Sequence, residues 1–320
     1  MRIPILHFRA LLFLPALLLA PAGSRASQLN VPPQATEAIR LMYSGKPDQA
    51  VLLARGLETT RPDDPLGYSI EADALWWKIY CKWDERKYNT IDAWSRARRP
   101  EPEDDAYLAL ADKVVRLAEA SIAKSDTAEM ELYDGMGYAL RARLTGLRYE
   151  KLATARAGVE ARKHLLRCIE LDPGMADAYM GLGLYNYYVD TLSTMAKVLR
   201  FFLGIPGGDK RVGLRQLETA ATKGELTQTE ARFNMAKNLR NYDRDYARAA
   251  EAAAPLASEF PQNPLFLLLS GDIAAKLGHN DEAAARFRAA AAAPMEDAAC
   301  SGRVQQLARE ALAALGAPAK

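Results

Sequence analysis

Helical spacing repeated in pairs most constrains what this chain can fold into. Residues 264–297, PLFLLLSGDIAAKLGHNDEAAARFRAAAAAPMED, hold two apolar stripes of helical period with Gly278 between them. Gly271 and Ala274 fall in the first stripe, Ala283, Phe287 and Ala290 in the second, and Pro294 near the end. The small residues let two helices approach closely, and the Phe287 ring fills the gap to the next pair. Leu66, Ile70, Ala74, Trp77 and Cys81 form another stripe, as do Leu108, Ala111, Val115, Ala118 and Ile122. No segment shows sustained alternation of period two. Helix-start signals agree with the stripes: Thr227 with Glu230 spells a capping box and Asn263-Pro264 an N-cap followed by proline. Glu101, Glu103, Asp104 and Asp105 place favourable negative charge at a further start. The expected class is all-α.

The 264–297 unit resembles the 34-residue tetratricopeptide repeat. A weaker match covers 31–64, with Gly45 at the turn, Ala50 in the second helix and Pro62 closing it. The segment 127–173 keeps Gly135 and Tyr138, then Ala161, Leu165, Cys168 and Pro173, with extra length between them. In 176–224, Tyr179, Leu182 and Gly183 match the first helix and Gly213, Leu217 and Ala220 the second, around an insertion. Phe233, Ala249, Ala253 and Pro261 keep the spacing in 230–263, and Val304, Leu307, Leu312 and Leu315 make 298–315 an amphipathic cap. Residues 65–126 carry the pattern weakly. The 201–232 segment is also similar to bacterial repeat proteins related to a eukaryotic outer-mitochondrial-membrane family.

The resemblance implies a right-handed α-α superhelix of about five helical pairs, two of them interrupted, closed by a capping helix. It also implies a non-catalytic scaffold that binds a protein or peptide along its concave groove, lined by first-helix side chains. At the matching positions stand Asn234, Asn238 and Asn241, with Met180, Leu184 and Tyr187 in the preceding unit and Arg232, Lys237 and Arg240 alongside. Three Asn at i, i+4 and i+7 predict an exposed stripe of donors and acceptors, since burying them is costly. The partner-binding groove is therefore expected at Asn234, Asn238, Asn241, Tyr187, Arg240 and Lys237. Lys237 lies three positions from where the family's carboxylate clamp places its lysine. A merely solvated helix face is the plain alternative.

The chain's formal net charge of +2 misleads. Its first 26 residues contain Arg2, Arg9 and Arg25 and no acid, so 39 bases face 40 acids in the remainder. A general polyanion-binding or nucleic-acid role loses its main support. Residues 1–9 are basic, residues 10–20 (ALLFLPALLLA) are apolar, and Ser24-Arg25-Ala26 offers small residues at a cleavage site. That order predicts a secretory signal peptide over 1–26, and the apolar run is about half of what spans a bilayer. A periplasmic location is expected, with secretion second. Cys81, Cys168 and Cys300 are odd in number and far apart, so they are expected as small core residues rather than a disulfide framework.

Chemistry-bearing motifs are sparse. Gly204-Ile205-Pro206-Gly207-Gly208-Asp209-Lys210 lacks the phosphate-loop pattern and follows no strand, so it is expected to end one helix and cap the next. Glu160, His164 and Cys168 share one helical face, but two or three donors on one helix do not close a metal site. No GxSxG or HExxH occurs, and neither enzyme, cofactor nor metal is expected. Trp76, Trp77, Trp83 and Trp94 cluster with Tyr80 and Tyr88. Trp76, Ile79, Tyr80 and Trp83 make one continuous face and are expected in the core, with a binding hot spot as the alternative. The insertion at 188–206 carries the apolar stripe Met195, Val198, Leu199, Phe202 and Leu203, broken by Lys197 and Arg200. It is expected to pack on the neighbouring repeat. Peripheral membrane contact, or carriage of a small apolar ligand or lipid, is the competing reading.

Overall fold

A computed structural model describes residues 29–82, 86–87, 90–91 and 100–316. The expected signal peptide, Trp83 and Trp94 lie outside these residues. The chain is all-α apart from a two-residue antiparallel ladder, β1 (Arg86–Lys87) with β2 (Thr90–Ile91). Its helices are α1 (Pro33–Tyr43), α2 (Pro47–Thr60), α3 (Pro65–Lys82), α4 (Pro102–Ile122), α5 (Ala128–Leu147), α6 (Lys151–Leu171) and α7 (Ala178–Thr191). They continue as α8 (Thr194–Phe202), α9 (Lys210–Lys223), α10 (Gln228–Asn238), α11 (Tyr246–Glu259), α12 (Pro264–Lys276), α13 (Asn280–Ala292) and α14 (Ala298–Ala314).

Local chemistry sets many of these boundaries. Proline occupies the first turn of α1, α2, α4 and α12, where its missing N–H is no loss. Asn263 caps α12 by accepting from the Leu265 and Phe266 amides at 2.9 and 3.1 Å. Glu101 and Asp104 form a reciprocal capping box on α4. The box expected at Thr227 and Glu230 does not form. The Thr227 hydroxyl instead donates to Asp177 Oδ1 at 2.8 Å, and Glu230 turns inward to Arg143.

Apart from α8, each helix packs on the next, as antiparallel pairs α1/α2, α3/α4, α5/α6, α7/α9, α10/α11 and α12/α13, with α14 on α13. The 65–126 stretch, weak in sequence, thus forms an ordinary pair. The α7/α9 pair closes across α8, which lies in the insertion. Gly271 lets α12 and α13 approach: a Cβ there would meet the Phe287 ring at 2.8 Å. First helices stack on one another through α1–α3, α3–α5 and α5–α7 contacts.

The stack also bends until its ends meet. Helix α3 touches α14, and Cys81 is disulfide-bonded to Cys300 across a sequence separation of 219. All three cysteines are buried, as expected of core residues, but two of them are bridged: the superhelix brings together residues whose distance along the chain hid their proximity. Cys168 remains a free, buried thiol. The Asn263 amide donates to the Tyr43 carbonyl at 2.7 Å, and Glu296 accepts from the Asp48 amide and the Gln49 side chain. Trp77 sits at the junction, its ring centroid 5.0 to 5.8 Å from those of Phe233, Tyr43 and Phe266. Trp76, Ile79 and Tyr80 are buried, as expected for the face they share, and so is Trp77 on the neighbouring stripe.

Candidate functional site

The residues expected to line an open groove come together, but inside the molecule. Asn234, Asn238 and Asn241 are 8%, 0% and 4% exposed, so the exposed stripe is corrected. The cause is the bend: first helices from both ends of the stack converge and cover the face that an open superhelix would present. Partners meet much of the polar cost of burial, although the Asn238 Nδ2 finds none among the described residues. The Asn234 amide donates to the Glu230 carbonyl at 3.0 Å, and Asn238 Oδ1 accepts from the Tyr188 hydroxyl at 2.9 Å. Asn241 Oδ1 accepts from Arg240 at 2.9 Å.

Arg240 and Tyr187 are buried as well. Arg240 forms a two-pronged ion pair with Asp272 on α12, one arm at 2.8 Å. The Tyr187 hydroxyl lies 2.8 Å from Asp243 Oδ2 and 3.1 Å from the Asn238 carbonyl oxygen. Burial and then the neighbouring Asp243 carboxylate push that hydroxyl up, so it stays protonated. Asp243 is also ion-paired to Lys210 at the start of α9. Lys237 is half-buried, its ammonium 5.4 Å from the Tyr80 ring centroid and 5.7 Å from that of Phe233. One turn of π-helix, Leu239–Asp243, continues α10 and carries Arg240 and Asn241 inward. Such a turn adds a residue to the helical ladder and re-aims the side chains after it.

A second knot lies beside this one. Arg143 from α5 binds Asp73 of α3 and Glu230 of α10, the latter at 2.5 Å, and stands 5.0 Å over the Trp76 ring. Three first helices, far apart in sequence, are thereby pinned to one guanidinium, whose planar fork suits two carboxylates at once. Sequence reading missed Arg143, Asp73 and Glu230. Nothing in their local spacing pairs them, and only the bend does.

The remaining candidates fall out as packing or capping. The 204–210 loop caps α9, with Asp209 accepting from the Arg211 and Val212 amides at 2.8 and 3.0 Å. His164 faces Glu131 and Asp134 across the α5/α6 pair rather than acting with Glu160 and Cys168. Burial raises the Cys168 thiol to about 12, leaving it inert at neutral pH. Of the apolar stripe expected in the insertion, Leu203 is 54% exposed, while the side chains of Met195, Val198, Leu199 and Phe202 lie outside the described residues; Leu192 and Phe201, outside that stripe, are 40% and 76% exposed. No described helix is long and apolar enough to cross a membrane.

These features define an α-solenoid of helical pairs with a closed, polar and aromatic inner face. No family model matches the chain, and no curated protein does. Among solved structures it is similar to the crystal structure of yeast Tom70, at 12% identity and a TM-score of 0.29, over 91% of this chain and 67% of that one.

Proposed function

We propose that this protein is a non-catalytic scaffold of the cell envelope, exported to the periplasm after removal of residues 1–26, that binds a protein partner through its α8 insertion. The observation that carries this reading is the interruption of the α7/α9 pair. Repeat proteins place insertions on the faces they use, and this one carries the exposed Leu192, Phe201 and Leu203. The inner face is filled by its own side chains, so the partner-binding role expected of Asn234, Asn238, Asn241, Tyr187, Arg240 and Lys237 passes to the outside. Export is supported by the Cys81–Cys300 disulfide, because such bonds persist in oxidising compartments. The same exposed side chains favour, as a second reading, peripheral contact with a lipid surface.

Affinity capture from the native envelope tests the first reading, with wild type beside Phe201→Glu/Leu203→Glu. A protein enriched by wild type and lost from the variant is expected. Equal recovery by both sinks the α8 assignment. Flotation of the wild type with phospholipid vesicles, abolished in the variant, would move membrane contact into first place.

A further inference from the structure

A buried ionisable cluster sits between α5 and α6, away from the inner face. His164 Nδ1 is 2.7 Å from Glu131 Oε2 and 3.3 Å from Asp134 Oδ2. Asp134 is 0% exposed, Glu131 5%, and neither Asp134 oxygen accepts a hydrogen bond from the described residues. The Tyr138 ring stacks on the imidazole with an interplanar angle of 8°. Directly after Asp134 the two helices are pressed together: a Cβ on Gly135 would lie 2.6 Å from Leu165. Two carboxylates and one imidazole thus share a dry seam.

We propose that the His164–Glu131–Asp134 cluster is a proton-operated clasp on the α5/α6 pair. With Asp134 protonated, the seam buries one charge fewer and holds the helices together. Once Asp134 ionises, a further buried carboxylate charge stands in the seam beside Glu131, and the pair loosens. The surrounding charges leave that balance to the cluster itself. Glu119 from α4 adds negative charge, Lys163 on α6 adds positive charge, and Lys163 is drawn to Glu160 at 3.5 Å. Beyond Glu131, Asp172 after α6 and Asp177 before α7 extend the acidic side around the neutral Cys168 thiol. Burial, only partly offset by His164, pushes the Asp134 carboxyl from its ordinary 3.8 up to about 6.

The sign follows from that direction. In the unfolded chain Asp134 ionises first, so the cost of holding it in the seam grows as pH rises from 3.8 towards about 6 and is fully present above it. The gap of about two pH units sets a ceiling of about a hundredfold on the opening equilibrium.

Hydrogen exchange of the full chain at about pH 5 and about pH 8, corrected for intrinsic amide chemistry, reads the clasp directly. Of that ceiling about tenfold falls between the two pH values, so protection of the α5 and α6 amides is expected to fall up to ~10-fold more than that of α12 and α13 on going to the higher pH. Asp134→Asn, which keeps the shape and cannot ionise, is expected to abolish that difference. Equal protection of wild-type α5/α6 at both pH values overturns the proposal. So does an undiminished pH difference in Asp134→Asn. The wild-type comparison across the two pH values decides the matter if Asp134→Asn does not fold.

Discussion

Asn238 has no exposed surface, and its side-chain oxygen takes the Tyr188 hydroxyl while its backbone carbonyl takes that of Tyr187. Asn238→Ala is therefore expected to destabilise the chain by about 1–3 kcal/mol, read as a lower denaturation midpoint, because it removes the acceptor of the half-buried Tyr188 hydroxyl and leaves a cavity. Asn238→Glu adds an unpaired buried charge and is expected to cost more. A second residue works in the opposite sense. Glu58 is pushed up to about 8 by burial and by the neighbouring Glu71, which is itself held by Arg55 at 2.8 Å. Its folded value exceeds the ordinary 4.5, so the cost of ionising it grows through that interval and is complete above about 8. Glu58→Gln is expected to raise the melting temperature at about pH 9 by about 2–4 °C, after allowance for solvent screening, and to change it little near pH 5. Equal shifts at both pH values would refute the assignment.

Turns between helices show what local pattern can and cannot announce. Asp177, just before α7, accepts from the Glu225, Leu226 and Thr227 amides at 3.0, 2.9 and 2.8 Å and from the Thr227 hydroxyl at 2.8 Å. One buried carboxylate thereby builds the corner between α9 and α10. Asp177→Ala is expected to cost about 3–4 kcal/mol, with exchange protection lost first at that corner. In sequence, Thr227 and Glu230 imitate a capping box because the motif is recognised by spacing alone, and spacing does not reveal a competing carboxylate about fifty positions earlier. Asn263 and Glu101 were legible because their partners are their own next turns. The helical class and the close approach at Gly271 were legible for the same reason, since both are local. The Asn stripe misled because its spacing marks a helix face correctly while the neighbour covering that face comes from the other end of the chain. Arg143 with Asp73 and Glu230, and His164 with Glu131 and Asp134, escaped for want of any local signal.

The bend that buries the inner face also dictates how the molecule holds together. Removing the Cys81–Cys300 bridge by Cys81→Ser with Cys300→Ser is expected to lower stability by up to about 5 kcal/mol, the loop-closure value for so long a loop. The loss should be measurable as a lower urea midpoint, reproduced in wild type by a reductant that reaches the bridge. An unchanged midpoint would mean that the Trp77 cluster and the Glu296 contacts suffice to hold the ends. The covalent closure has a mechanical corollary as well. If the chain is pulled from residues 29 and 316, the tension passes through the sulfur–sulfur bond, and everything between Cys81 and Cys300 is shielded from the load. Only the two outer segments can pay out, roughly 70 residues or ~250 Å of extended chain. Four of the six helical pairs, from α5/α6 to α12/α13, would ride along unstretched until the bridge is cut.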